Sequence, residues 1–138
     1  MAAFTDDISI NTLIGTNSAI AGDVRVSGFV RIDGDIDGSL ETSGKVIIGE
    51  KARIRGNVTA RAAIVCGIIE GDVYAPEEVQ LFSSAAVMGD VITKNIQVAD
   101  GVLFDGYCIA LKDETEFAKA VQFWNDEKAV LHRLRENA

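Results

Sequence analysis

Apolar and polar residues alternate in short runs along most of this chain. Val24-x-Val26, Val30-x-Ile32, Val46-x-Ile48 and Ile96-x-Val98 each place apolar residues two positions apart. A period of two is typical of β-strands with one buried face, and it excludes an α-helix over this stretch. Of the 29 Val and Ile residues, 27 precede residue 112, and all 13 Gly lie at or before Gly106. The pattern predicts many short strands separated by turns.

These strands repeat with a period of about 17 residues. A Gly, one mostly small polar residue and an apolar residue recur together, with Gly-to-Gly steps of 16, 18, 15, 18 and 17. A step of this size accommodates one coil of a three-sided solenoid. The glycines of the repeat are Gly22, Gly38, Gly56, Gly71, Gly89 and Gly106. We therefore predict an all-β fold, a three-sided β-helix (solenoid) of about six coils over residues 14–111, after a lead-in at residues 1–13.

The pattern changes after Leu111, where a helical period begins. Asp113-x-x-Glu116 has the spacing of a capping box, and apolar residues then recur at helical steps. The sequence predicts a C-terminal amphipathic helix of about twenty residues within residues 112–138. Three roles stay open for it: packing along the solenoid, folding over the last coil, or docking another protein. The residues predicted for packing or partner binding are Phe117, Val121, Phe123, Trp124, Leu131 and Leu134.

Charge and hydropathy narrow the classes of partner. The net charge is -8, which repels polyanions, so we expect no nucleic acid partner. No apolar run approaches the roughly 18 residues of a membrane span, and the N-terminus lacks the order of a secretory signal, so a cytoplasmic location is expected. Cys66 and Cys108 are isolated from each other and are predicted to be small core residues.

Catalytic chemistry finds little support in the sequence. The segment Ile48–Ile54 resembles the hexapeptide period of solenoid acyltransferases, but the only His is His132, in the predicted helix, where it cannot serve as a base beside a solenoid groove. Asp33, Asp35 and Asp37 alternate and could bind Ca²⁺ from one side of a strand, although a solvated acidic face is the favoured interpretation. No catalytic, cofactor-binding or metal residue is predicted. The alternative function is that of a non-polymerising solenoid, such as a hexapeptide-type acyltransferase-like protein or a module that binds a small molecule or an ion.

At the two ends of a solenoid, backbone hydrogen-bonding groups have no partner within the fold. The first and last coils present backbone N–H and C=O groups without a strand partner, and uncapped ends join subunits into open filaments. We predict that the ends form a polymerisation interface. Its residues are Val102, Leu103 and Phe104 in the last coil and Ile8, Ile10 and Leu13 before the first.

The order of these motifs resembles the bactofilin domain over roughly residues 14–110. The resemblance is carried by Arg31-Ile32-Asp33-Gly34, Gly38-Ser39-Leu40, Val46-Ile47-Ile48-Gly49, Gly71-Asp72-Val73-Tyr74-Ala75 and Gly101-x-x-Phe104-x-Gly106. It implies a right-handed β-helix, end-to-end polymerisation without nucleotide, and a scaffolding role in bacterial cell shape, wall synthesis or polar organisation. Cell-wall or polar proteins are then expected as partners besides the chain itself. The resemblance also implies that Phe104 helps to form the subunit interface.

Two segments depart from the bactofilin pattern. Many bactofilins carry a short apolar N-terminal segment that touches the membrane, whereas Met1-Ala2-Ala3-Phe4 is followed by Asp6 and Asp7. Acidic residues here disfavour an anionic lipid surface, which argues against membrane association, and a location at the inner face of the cell membrane stays open as the alternative to a purely cytoplasmic one. The tail is the second departure, because bactofilin tails are commonly flexible and proline-rich, whereas this one is predicted to be helical.

Overall fold

The computed structural model describes residues 10–136, with the side chains of residues 10–130. This part of the chain forms eighteen short strands followed by one long helix, α1. The elements are β1 (Ile10–Ile14), β2 (Ala19–Ala21), β3 (Val24–Val26), β4 (Phe29–Ile32), β5 (Asp35–Asp37), β6 (Leu40–Thr42), β7 (Lys45–Ile48), β8 (Arg53–Arg55), β9 (Val58–Thr59), β10 (Ala62–Val65), β11 (Ile68–Glu70), β12 (Val73–Tyr74), β13 (Glu78–Leu81), β14 (Ala86–Met88), β15 (Val91–Thr93), β16 (Ile96–Val98), β17 (Leu103–Asp105), β18 (Cys108–Ala110) and α1 (Glu114–Glu136).

The strands form three parallel six-stranded sheets, which are the three sides of a solenoid. Every third strand belongs to the same sheet: β1 begins side 1, β2 begins side 2 and β3 begins side 3. Three consecutive strands therefore make one coil, and the eighteen strands make six coils. The predicted six-coil solenoid with a C-terminal helix is confirmed, while its handedness stays a prediction.

The core is built from columns of like side chains that stack from coil to coil. On side 2 the register places Ile36, Ile54 and Ile69 directly over one another, and each is at most 1% exposed. Ile20 extends this column into the first coil, and Phe104 ends it in the last coil. The alternation read from the sequence corresponds to these inward columns, because successive side chains of a strand point to opposite faces.

A column of glycines forms the corner between sides 2 and 3. A Cβ added at Gly71 would overlap the carbonyl oxygen of Gly56, and a Cβ at Gly89 would overlap that of Gly71. The backbones of successive coils approach too closely here for any side chain. Gly89 also has a φ of 157°. Close stacking is thus the main reason for glycine along this corner, where the sequence alone suggested turn geometry.

Side-chain oxygens connect the coils along the same corner. Asn57 Oδ1 accepts a hydrogen bond of 3.0 Å from the backbone N–H of Asp72, and Asp72 Oδ1 accepts one of 2.9 Å from that of Asp90. Asp90 Oδ1 in turn accepts one of 2.9 Å from Tyr107. We call these three bonds the corner ladder. Each bond satisfies a backbone donor that the turn leaves outside the sheets.

Candidate functional site

The described chain leaves both ends of the coil stack without a further strand. β1, β2 and β3 pair only with β4, β5 and β6, and β16, β17 and β18 pair only with β13, β14 and β15. Over the described residues, helix α1 packs against side 3 and not across an end. Each end therefore presents a triangle of unpaired strand edges, which is a surface suited to adding another coil.

The three residues predicted for the last-coil interface do not share one orientation. Phe104 lies in register with the buried Val87, points inward and is half-buried, because no coil follows it. Val102 also packs against the core. Leu103 lies opposite Ala86 on the outer face of side 2 and is 71% exposed. Phe104 and Val102 thus belong to the end surface, whereas Leu103 lies on the flank of the rod.

The described residues predicted for the first-coil interface lie on the outer surface of side 1 and not in its inward columns. Ile8 falls outside the described residues. A bulge shifts the register between Ile10 and Thr12, so that Thr12 and Ile14 continue the inward columns and Leu13 lies opposite Arg31 on the outer face. Leu13 is 62% exposed and Ile10 is 47% exposed. Leu13 is therefore an outer-surface residue of side 1.

The sequence interpretation missed most of the apolar residues that the ends present. They were visible as members of alternating runs but were assigned to the closed core. In the first and last coils the same inward positions lack a neighbour on one side, so they are partly or largely exposed. These residues are Ile20, Val24 and Val26 at one end and Ile96 and Val98 at the other.

The helix begins with the cap that the sequence predicts. Asp113 Oδ1 accepts a hydrogen bond of 2.9 Å from the backbone N–H of Glu116, and α1 starts at Glu114. Two acidic residues, Glu114 and Glu116, lie in the first turn, where the helix dipole favours negative charge. Lys94 also pairs with Glu114, which connects this turn to the end of β15.

Side 3 carries an outward column whose chemistry changes along the rod. In the first two coils this column holds Arg25 and Glu41, which form a salt bridge of 2.7 Å. The register continues it through the half-buried Thr59 to Tyr74, Ile92 and Ile109. Ile92 is 0% exposed although it points away from the core. The C-terminal half of side 3 is therefore apolar outside as well as inside.

Helix α1 covers this apolar half of side 3. Phe117 is 5% exposed, and its ring lies 6.4 Å from that of Tyr74, while the Lys94 ammonium lies 5.4 Å from the Phe117 ring centre. Val121 and Trp124 are half-buried on the same helix face. Phe123 does not share that face and is 66% exposed. The side chains of Leu131 and Leu134 lie outside the described part of the chain.

Asp90 connects the helix to the corner ladder. Its Oδ2 accepts a hydrogen bond of 2.7 Å from the indole N–H of Trp124 and lies 3.2 Å from the ammonium of Lys128. Lys128 also lies 3.3 Å from Asp72 Oδ2. The four groups form a polar clamp between α1 and the corner of sides 2 and 3, and we call it the Asp90 clamp.

The Asp90 clamp shifts the pKa of two of its members. Burial alone would raise the pKa of Asp90, but the hydrogen bonds from Tyr107 and Trp124 and the cation of Lys128 outweigh it, so the pKa lies below its ordinary value. Burial alone would lower the pKa of Lys128, but Asp72 and Asp90 hold that pKa above its ordinary value. Both shifts favour the charged forms and hence the docked helix.

The three aspartates considered for calcium do not share one side. Asp33 lies at a corner and accepts a hydrogen bond of 2.9 Å from Arg31. Asp35 and Asp37 point outward from side 2, where the register places Arg53 and Arg55 opposite them. The positive charges of Arg53 and Arg55 would repel a Ca²⁺ ion bound to these two aspartates. Asp35 and Asp37 are therefore the acidic members of two oppositely charged pairs on the outer surface of the solenoid.

The two cysteines differ in their surroundings. Cys66 is half-buried, and burial, followed by the nearby Glu50, raises the pKa of its thiol. Cys108 is exposed, which corrects the expectation that it is a core residue. It lies opposite the buried Val91 in an inward column, but it belongs to the last coil, so one side of its thiol faces the open end. Partial burial still raises its pKa.

Other kinds of site receive no support from residues 10–130. Over that range no three His, Cys, Asp or Glu side chains lie together as metal ligands would. The side chain of His132, the one His of the sequence, lies outside the described part. Within the described residues, no helix is long and apolar enough to cross a membrane.

Comparisons with known proteins agree with this geometry. A family model named Bactofilin, described as polymer-forming and cytoskeletal, matches residues 12–109. Bactofilin BacP of Myxococcus xanthus is 28% identical over 96 residues, which are 70% of this chain and 40% of that protein. Bactofilin BacO of the same organism is 24% identical over 96 residues, 70% of this chain and 76% of its own length. The match thus spans about two fifths of the length of BacP.

Two solved structures share the fold. A cryo-EM reconstruction of Thermus thermophilus bactofilin double helical filaments superposes with a TM-score of 0.65 at 28% identity, covering 72% of this chain and 98% of that one. The structure of the cytoskeletal bactofilin BacA from solid-state NMR superposes with a TM-score of 0.63 at 28% identity, covering 71% of this chain and 93% of that one. Both matches take in nearly the whole of the compared chain but leave more than a quarter of this one unmatched.

Proposed function

This chain belongs to the bactofilin family of polymer-forming cytoskeletal proteins, and from that membership we propose that it assembles end to end into filaments. The observation that carries the proposal is the pair of open ends of the coil stack. A similar chain has been solved in double helical filaments. Coil stacking between subunits would continue the three sheets from one molecule into the next.

Apolar residues of the last coil would become buried at such a junction. Val98 is 55% exposed and Phe104 is half-buried, although both continue columns that are fully buried one coil earlier, at Leu81 and Val87. A neighbouring coil at the usual strand spacing of about 4.8 Å would bury them and pair the free strand edges. Both backbone pairing and apolar burial then favour association.

We propose that the role is structural and needs no nucleotide. The sequence contains no phosphate-binding loop of the G-x-x-x-x-G-K-[ST] kind, and Gly-rich segments here form corners. In this proposal the filament serves as a cytoplasmic scaffold in cell shape, wall synthesis or polar organisation, and its partners are cell-wall or polar proteins. No catalytic step is assigned to the chain.

The proposal is tested with the full chain, purified without nucleotide. Filaments are sought by negative-stain electron microscopy and by sedimentation, for the parent and for Phe104→Arg. The arginine places a charge among apolar side chains of the junction, where it has no partner. Met88→Arg is the matched control, because Met88 is 46% exposed, points outward and lies one coil away from the end.

We expect filaments from the parent and from Met88→Arg and small folded particles from Phe104→Arg. Circular dichroism should show that both variants retain the strand signal. Small particles from the parent over a range of concentration and salt would overturn the proposal. Filaments of parental length from Phe104→Arg would instead move the junction away from the last coil.

A further inference from the structure

Helix α1 has one apolar flank that no described residue of the chain covers. Its packed face holds Phe117, Val121 and Trp124, and its solvent face holds small or polar residues such as Gln122 and Ala129. Two large apolar side chains remain, because Phe123 is 66% exposed and Val130 is 54% exposed. They are seven residues apart and so lie on one row of the helix.

At Phe123 this flank faces the last coil of the solenoid. The Asn125 side of the helix is flanked by Asn57 and Thr59 of the third coil. The Phe123 side borders an open groove of about 560 Å³ whose floor is formed by the last coil. Among the groove's residues are Tyr107, Cys108, Ile109, Phe123 and Glu127. The helix is therefore centred on the fourth and fifth coils, with Phe123 on the side toward the open end.

The groove is continuous with the unpaired edge of the last coil. Ile109 belongs to β18, which ends the sheet of side 3. A strand added to β18 would lie about 4.8 Å farther along the rod. An α-helix with its side chains is about 10 Å across, so the flank of α1 extends toward the position of such a strand. Phe123 and Val130 would then contact the outer face of the added coil.

We propose that α1 is a splint across the subunit junction, with Phe123 and Val130 packing on the terminal coil of a second copy of this chain. The inference rests on the proposed end-to-end assembly and adds an outer contact to it. A second copy is the occupant because the groove opens on the surface where the next subunit's sheets continue. Up to residue 130, the solvent face of α1 carries Ala118, Gln122 and Asp126 and no comparable apolar row.

The first experiment measures the critical concentration for assembly by sedimentation. Phe123→Glu is compared with the parent and with Gln122→Glu, which adds the same charge on the adjacent, solvent-facing position. Loss of one large buried apolar side chain predicts a critical concentration about tenfold to a hundredfold higher for Phe123→Glu. Gln122→Glu should match the parent. Thermal unfolding checks that both variants keep the parental fold.

The second experiment places a photo-crosslinking benzoylphenylalanine at position 123 or, as control, at position 122. Irradiation of filaments should give covalent dimers from position 123, joined to a terminal coil, and far fewer from position 122. Filaments with the parental critical concentration in Phe123→Glu, or crosslinks from position 123 only within one chain or to a middle coil, overturn the splint but leave end-to-end assembly standing. A parent that does not polymerise overturns both.

Discussion

The indole N–H of Trp124 donates a 2.7 Å hydrogen bond to Oδ2 of Asp90, while Oδ1 of the same carboxylate accepts one of 2.9 Å from the backbone of Tyr107. One buried carboxylate thus serves the corner of the solenoid and the docking of the helix together. Its side chain is 10% exposed. Because the chain has a single Trp, the fluorescence of Trp124 reports this contact alone.

Asp90→Asn should weaken helix docking. The new amide can still accept from Tyr107, but its NH₂ group would face two donors, Trp124 and Lys128. We expect a loss of about 2 kcal/mol in the free energy of unfolding and a red shift of Trp124 emission. Asp126→Asn, at an exposed helix position, should change stability by less than about 0.5 kcal/mol. Equal effects of the two substitutions in urea titrations would contradict the clamp.

Helix docking should depend on pH at both extremes. The pKa of Asp90 is lowered by folding, so its contribution is complete above the unfolded value of about 3.9 and is lost as the pH falls through the folded value. The pKa of Lys128 is raised, so its contribution is complete below about 10.4 and is lost as the pH rises through the folded value. Trp124 emission followed from pH 7 should be constant until these limits.

In Asp90→Asn the acid-side change of Trp124 emission should disappear, because no carboxylate remains at that position to titrate. The alkaline change should shrink as well, since Lys128 keeps only Asp72 as a partner. An acid transition that persists unchanged in the variant would assign the titration to another group.

Gly71→Ala should destabilise the solenoid strongly. The added Cβ would overlap the carbonyl oxygen of Gly56, and neither backbone can move without disturbing two coils. Overpacking against backbone predicts a loss of about 3 kcal/mol. Gly15→Ala is the matched control, because a Cβ there has nothing within 4 Å. Thermal unfolding by circular dichroism should separate the two variants clearly, and similar melting temperatures would refute the close-stacking explanation.

Cys108 should become protected when filaments form. Its exposed thiol lies on the last coil, whereas Cys66 belongs to the fourth coil, so only Cys108 is covered by an end-to-end neighbour. Because both thiol pKa values are raised, alkylation by iodoacetamide is measured near pH 9. The ratio of Cys108 to Cys66 labelling, read by mass spectrometry, should fall on assembly. An unchanged ratio in sedimented filaments would exclude Cys108 from the junction.

Much of the fold follows from local rules that a sequence displays. Glycine spacing predicts the six coils, because a step of about 17 residues accommodates one coil of a three-sided solenoid. The period of two predicts the inward columns, and Asp113 predicts the helix start. These features depend on neighbours in the chain or on the same position one repeat away.

The orientation of end residues was harder to predict. Val102, Leu103 and Phe104 are three consecutive apolar residues, so alternation does not say which of them points inward. The bulge after Ile10 changes the parity of β1 and turns Leu13 to the outer face. A one-residue shift in register moves every following side chain of a strand to the opposite face, so alternation alone cannot predict which residues point inward after a bulge.

The sequence did not predict where α1 docks, because its contacts join residues that are far apart in the chain. Trp124 and Asp90 are 34 positions apart, and nothing in the helical period identifies its partner surface. A signal was present in Val73-Tyr74, Val91-Ile92 and Cys108-Ile109, where strands of side 3 carry adjacent apolar residues. Strands that are apolar on both faces indicate a sheet covered on both faces. Earlier strands of that side carry Arg25 and Glu41 instead.

The position of α1 on one side of a triangular rod makes the cross-section unequal. A plain three-sided rod could gather neighbours around its whole circumference and grow into a thick bundle. Here a 23-residue helix, roughly 34 Å long, runs beside strands of two or three residues on side 3 and extends past their ends. In the proposed filaments, α1 would block the flat approach of a parallel rod to side 3, so lateral contacts would be directed to sides 1 and 2.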